Sequence, residues 1–224
     1  MTISSNLAAL NAKIEIACQQ AGRPTKAVRL MAVSKTRGAE EVREAILAGQ
    51  RLFGENRVIE AKTKFSPLRE EFPDLELHLI GPLQTNKALE AVKLFDVVET
   101  LDRPKLADEL ARAQTKTNRN LTCYIEVNIG EEPQKAGIFP QKLGEFLGYC
   151  VKKRELRIGG LMCMPPRNAD PVPYFLKLRE LAIRHNLPHL SMGMSGDFEQ
   201  AIRCGATEVR IGTALFGERS VQRP

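Results

Sequence analysis

The sequence predicts an α/β fold, a single (β/α)8 TIM barrel with an extra N-terminal helix, and three observations lead there. Short β-like and helix-like segments alternate along the whole 224-residue chain. Such alternation calls for parallel strands joined by crossover helices. No Gly-x-Gly-x-x-Gly turn follows the first strand-like segment, where an open nucleotide-binding sheet would place one. Eight strand units then close into a barrel more naturally than they spread into an open doubly wound sheet.

The elements follow in order. Ile3, Leu7, Leu10, Ile14 and Ala17 recur at spacings of three and four, an apolar stripe that packs an opening helix on the barrel. Lys13 and Glu15 interrupt that segment, so it does not read as the apolar core of a secretion signal. Strands are expected at 29–34, 51–54, 76–80, 96–99, 121–128, 157–163, 189–193 and 208–211. Helices are expected at 40–48, 56–71, 85–94, 103–117, 140–153, 173–185 and 197–203. No linker-like tract divides the chain, so residues 1–224 read as one domain. No stretch approaches the roughly 18 apolar residues of a membrane span, and the expectation is a cytoplasmic protein without a membrane partner.

Composition narrows the chemistry. The five cysteines, Cys18, Cys123, Cys150, Cys163 and Cys204, are odd in number, scattered, and form no Cys-x-x-Cys pair. They read as reduced core thiols. His78, His185 and His189 are the three histidines and do not cluster with cysteine, so no metal site is expected. The net charge of +6 is spread at helical spacing, as in Lys105, Asp108, Glu109 and Arg112, without a dense basic run or interleaved aromatics. Nucleic-acid binding normally concentrates its positive charge, and this pattern argues against it.

Active sites of these barrels lie at the carboxyl ends of the strands. The first strand runs Met31-Ala32-Val33-Ser34 straight into Lys35, placing an amine at the mouth. Partial desolvation there lowers a lysine pKa from about 10.4 and makes the amine a nucleophile toward an aldehyde. The plainer alternative is a lysine that snorkels to solvent. After the last two strands stand Ser195, Gly212 and Thr213, where such barrels most often bind phosphate with small residues, hydroxyls and exposed amides. Ser195 also suits the cap of a helix carrying Asp197 and Glu199. Alternation of period two sets Arg210 on the face opposite Val209 and Ile211, pointing into the barrel. There it meets either a ligand or an inward carboxylate such as Glu208 or Glu126. An amine on the first strand and an anion cup after the last two become neighbours on closure, and together they suit a phosphorylated aldehyde.

These residues resemble the pyridoxal phosphate homeostasis protein family, itself similar to the barrel domain of alanine racemase. The resemblance spans about Leu30 to Gly217. It is carried by Ala32-Val33-Ser34-Lys35, Phe53-Gly54-Glu55-Asn56, His78 through Lys87, Lys135-Ala136-Gly137, Gly160-Leu161-Met162, Leu190 to Asp197 and Val209 to Gly217. It implies that Lys35 holds pyridoxal 5′-phosphate (PLP) as a Schiff base. Ser195, Gly212 and Thr213 would then hold the phosphate, Arg210 would face the ring nitrogen, and Asn56 would lie near the cofactor. The roles of His78 and Lys87 are left open, a solvated helix lysine being the plainer reading of Lys87. Arg57, Leu77 and Gln134 depart from the family's usual tyrosine, aromatic and serine, which bears on rim contacts.

A guanidinium opposite the ring nitrogen leaves that nitrogen unprotonated and weakens the ring as an electron sink. Only seven residues follow Gly217, too few for the additional domain that supplies a racemase's second base. Tyr124, Tyr149 and Tyr174 fall within strand-like or helix-like segments and offer no obvious acid or base. The expectation is a non-catalytic, monomeric PLP carrier with no catalytic residue, serving PLP-dependent apoenzymes as recipients. A weak amino-acid racemase is the alternative.

Overall fold

A computed structural model describes residues 2–218. Its eight parallel strands close on themselves in sequence order: β1 (Arg29–Val33), β2 (Leu52–Glu55), β3 (Glu76–Leu79), β4 (Val97–Leu101), β5 (Thr122–Val127), β6 (Arg157–Cys163), β7 (His189–Met194) and β8 (Glu208–Ile211). The seam is in register, with Leu30 opposite Val209 and Ala32 opposite Ile211. The expected barrel is therefore what the chain forms.

Around it run α1 (Ile3–Gln20), α2 (Ala39–Leu47), α3 (Val58–Glu71), α4 (Ala88–Leu94), α5 (Pro104–Thr117), α6 (Leu143–Gly148), α7 (Val172–Arg184), α8 (Phe198–Arg203) and the short α9 (Thr213–Phe216). Among the described residues no helix is long and apolar enough to cross a membrane. Helix α1 starts from a capping box between Thr2 and Ser5, which satisfies donors left open by the first turn. The predicted stripe of Ile3, Leu7, Leu10, Ile14 and Ala17 is buried. It packs against α8, α9 and α2, and Asn6 donates to the Leu215 carbonyl at 2.9 Å. The extra helix thus covers the outside of the closure seam. Helix α5 takes Pro104 in its first turn and ends on Asn118 in the left-handed region, as such termini commonly do.

Two expected helices differ in form. The stretch at 140–153 is a 3-10 turn at Pro140–Lys142, then α6, then a π turn over Tyr149–Lys153. The stretch at 85–94 opens with a 3-10 turn before α4. Strand ends moved by one or two residues, and α9 was not anticipated.

Alternation along each strand sorts the side chains. Val209, Ile211, Leu30, Ala32 and Phe53 join the apolar layer between barrel and helices. Val97, Tyr124 and Met162 form a smaller apolar cluster of their own, beside a set of buried polar groups described below. All five cysteines are free and buried, and burial pushes the Cys163 thiol up to about 12. They are inert fillers at neutral pH.

Candidate functional site

Every strand delivers its following loop to the same barrel end, and the sequence-selected residues collect there. Lys35 lies in the turn after β1, Asn56 directly after β2, Ser195 after β7, and Gly212 with Thr213 after β8. Lys35, Asn56, Ser195 and Gly212 are partly buried, while Thr213 is exposed.

The Lys35 turn is gripped on both sides by α3. Lys64, itself buried, donates to the carbonyl of Ser34 at 2.7 Å and to Glu55 at 2.7 Å. Glu60, one turn earlier on the same helix, accepts from the Thr36 amide at 2.5 Å. Thr36 sits at φ 65°, a left-handed conformation that a β-branched residue adopts only where its surroundings enforce it. Residues before and after Lys35 are therefore anchored by an i,i+4 pair. The Ser34 hydroxyl donates to Glu55 at 2.6 Å, and burial, opposed by Lys64 and Ser34, holds the Glu55 carboxyl above its ordinary range.

At the opposite side of the seam, β7 breaks register with β8 between Ser191 and Met194. Gly193 makes the break with φ 90°, and an added Cβ there would lie 2.5 Å from the Cβ of Ala201 on α8. The bend aims Met194 and Ser195 at the mouth. The N-cap position of helix α8 is Asp197, not Ser195; its carboxylate makes no cap bond to the helix and instead accepts the Met194 amide at 2.6 Å. Capping therefore does not occupy Ser195. Gly212 precedes α9 at φ −111°, and a Cβ there would meet nothing nearer than the Val33 carbonyl at 3.4 Å. Neither conformation nor crowding demands a glycine at this position. The first amides of α9, on Thr213 and Ala214, have no intrahelical acceptor.

Arg210 is buried and points inward, as alternation predicted. Its Nη1 donates to Ser191 Oγ at 2.8 Å and its Nη2 to the Cys163 carbonyl at 2.8 Å. Among the described residues no carboxylate pairs with it. Glu208, the first carboxylate considered, is taken by Arg29 at 2.6 Å and by the Tyr124 hydroxyl at 3.1 Å. Glu126, the second, is buried but lies at the edge of a mouth cavity of about 650 Å³ shared with Ile80, Asn128, Met164 and Met194. Burial and the neighbouring Asp102 push its carboxyl up to about 7, against the pull of Arg210.

Below the mouth the barrel is filled with paired charge. His78 is wholly buried in β3, with Nδ1 at 2.7 Å from Glu99 and Nε2 at 2.8 Å from Glu76. Ionised carboxylates only accept, so both ring nitrogens donate and the ring is an imidazolium. Burial opposes this charge, yet the two carboxylates raise the His78 pKa to about 9. His78, Glu99 and Glu208 hold potential ligand atoms within 4.8 Å of one another, but His78 engages both nitrogens with carboxylates. The cluster is an ion-pair network in form.

The remaining marked residues sit at the rim. Lys87 donates to Glu90 at 2.8 Å, as a helix-surface lysine does, and shares a groove with Asn56 and Gln84. The Asn56 backbone is seated by Gly81, where any Cβ would lie 2.3 Å from the Asn56 carbonyl. Lys35, Ser195, Arg210, Gly212 and Thr213 line neither of the two larger mouth cavities. Sequence reasoning missed Glu60, Lys64, Glu99 and Ser191. The spacing of Glu60 and Lys64 was a legible signal, and so was a lone carboxylate in the apolar run Val97-Val98-Glu99.

A lysine on an anchored turn, a buried guanidinium that no carboxylate pairs with among the described residues, and open amides beside hydroxyls fit a ligand carrying a carbonyl carbon and a terminal anion. Residues 5–220 match the model of the alanine racemase N-terminal domain. A pyridoxal phosphate homeostasis protein of Aquifex aeolicus is 43% identical, covering 98% of this chain and 99% of that protein. Its namesake in Pasteurella multocida is 39% identical over all of both chains, at 100% coverage each. The structure of PipY from Synechococcus elongatus with PLP bound superposes with a TM-score of 0.83 at 36% identity, covering 96% of this chain and 100% of that one.

Proposed function

The chain belongs to the pyridoxal phosphate homeostasis protein family, built on the alanine racemase N-terminal domain, and from that membership we propose that it holds PLP on Lys35 and manages this cofactor. One observation carries the reading: a buried Arg210, bonded to a hydroxyl and a carbonyl but, among the described residues, to no carboxylate, lies on the strand that closes against the strand leading into the Lys35 turn. A buried cation of this kind is costly unless a ligand meets it.

In this reading Lys35 makes a Schiff base with the aldehyde carbon, its position set by Glu60 and Lys64 on either side. Ser195, Gly212 and Thr213 take the phosphate, Gly212 by leaving its amide open to close approach. Asn56 borders the ring. When bound, PLP supplies an electrophilic carbon and, if its ring nitrogen is protonated, an electron sink. A guanidinium only donates, so Arg210 would hold the ring nitrogen by donating to it without charging it. The tyrosine hydroxyls of Tyr124 and Tyr149 are engaged with Glu208 and Asp108, away from any role as a second base. In this reading the protein is a carrier that delivers PLP to apoenzymes, works as a monomer and a single unit of residues 1–224 in the cytoplasm, and does not turn substrate over; the engaged tyrosines support the last of these.

Glu126 favours a second reading. A buried carboxyl near neutrality beside a cavity is suited to move a proton, as a weak amino-acid racemase requires.

The test is borohydride reduction of the PLP-loaded protein followed by peptide mass analysis. One added pyridoxyl phosphate on the Lys35 peptide, and none in Lys35→Ala, is expected; reduction that fixes no mass there overturns the assignment. Steady racemisation of L-amino acids by the loaded wild type would replace the carrier reading with the second.

A further inference from the structure

We propose that Ser191 and Glu99 are the positioning residues for Arg210, aiming its guanidinium through a hydrogen-bond chain that runs down the barrel interior to His78. The inference rests on the reading that Arg210 faces the cofactor ring.

The direction of each bond follows from what each group can do. Arginine only donates, so Arg210 Nη1 gives its proton to Ser191 Oγ at 2.8 Å. The serine hydroxyl has one proton of its own and sends it to Glu99 Oε2, 2.5 Å away. Glu99 is fully buried, and its other oxygen accepts from His78 Nδ1 at 2.7 Å. His78 in turn reaches Glu76, which accepts from Arg29 at 2.5 Å. Both oxygens of Glu99 are thus committed, and the chain ends on an arginine anchored at the barrel's opposite end. Hydrogen bonds in such a series polarise one another, and removing a middle member loosens both neighbours.

The geometry also explains why a serine stands between two charges. A carboxylate touching Arg210 directly would pair with its fork and neutralise it. With Ser191 interposed, Glu99 balances the guanidinium at one remove, and the donors that do not reach Ser191 or the Cys163 carbonyl stay available to a ligand at the mouth. An arginine side chain has many rotamers, and fixing it in advance spares a bound ligand that entropy. Ser191 and Glu99 touch no ligand themselves in this arrangement; they act through Arg210.

The experiment measures PLP affinity by titrating the apoprotein, with borohydride labelling of Lys35 at saturating PLP as a second readout. Ser191→Ala is expected to weaken PLP binding roughly tenfold, the scale of a lost hydrogen bond to a charged group. Ser191→Thr, which keeps the hydroxyl, is expected to stay within about threefold of wild type on the same grounds. Arg210→Gln is expected to weaken binding by at least as much as Ser191→Ala, and the double variant to be no weaker than Arg210→Gln alone, because both changes remove one function. Label on Lys35 persists throughout. Unchanged affinity in Ser191→Ala, or effects of the two substitutions that simply add, overturns the proposal. If Ser191→Ala does not fold, the isosteric Glu99→Gln carries the same comparison with Arg210→Gln. A wild type that takes up no PLP defeats the underlying reading instead, whereas a normal wild type and a weakened Arg210→Gln beside an unaffected Ser191→Ala defeat only this inference.

Discussion

The two ends of the barrel interior handle charge in opposite ways. Toward the amino ends of the strands, Arg29, Glu76, His78, Glu99 and Glu208 interlock, each cation within 2.8 Å of a carboxylate. Toward the mouth, Arg210 and Glu126 are buried, as His78, Glu99 and Glu208 are, yet neither has an ion-pair partner among the described residues. Paired charge in a low-dielectric core holds one arrangement of the strands, because breaking any pair strands an ion. Unpaired charge at the end where barrels carry their sites is free energy that a ligand can recover. The same fold thus separates a part that maintains geometry from a part that uses it.

The largest effect separating the two ends should come from His78→Leu. It removes the donor to Glu99 and Glu76 together, and a destabilisation of about 3–5 kcal/mol is expected, the cost of orphaning buried carboxylates. Urea unfolding measures it, and a loss well under that range would mean the lower network is not structural.

Next in size is the pH response. His78 titrates near 9 in the fold against 6.5 unfolded, so its contribution is complete below pH 6.5 and fades as pH rises through about 9. Glu76 is held down to about 2 from 4.5; burial opposes this and His78 and Arg29 impose it. Its contribution is complete above pH 4.5 and fades as pH falls toward 2. Melting temperature followed across this range should fall at both extremes, and His78→Leu should flatten the alkaline side.

The smallest effect is expected at the mouth. Glu126→Gln removes a carboxyl that burial already makes hard to ionise, so stability should change by less than about 1 kcal/mol, in the stabilising direction as readily as the other. A large destabilisation there would erase the contrast between the ends.

Much of the fold was legible because its signals are local. The run Met31-Ala32-Val33-Ser34-Lys35 shows a buried strand ending in an amine, and Val209, Arg210 and Ile211 show which way the arginine points. The stretch at 140–153 was less legible. Its helical residues are shared among 3-10, α and π turns, a choice that composition does not encode and that packing of Leu143, Phe146 and Cys150 on the barrel decides. Ser195 could be read as helix cap and anion donor at once, and the fold puts Asp197, not Ser195, at the N-cap position of α8.

By itself the sequence determined the alternation of strands and helices, the inward face of the last strand, and the loops from which Lys35, Asn56, Ser195, Gly212 and Thr213 project. Only the tertiary structure decided which buried charges meet: that Glu208 belongs to Arg29, that Ser191 bridges Arg210 to Glu99 across 92 residues of chain, and that α3 clamps the Lys35 turn. The physical reason is range. Periodicity is set by neighbours a few residues apart, whereas ion pairing inside a closed barrel depends on register between strands that the chain brings together only when the last is laid beside the first.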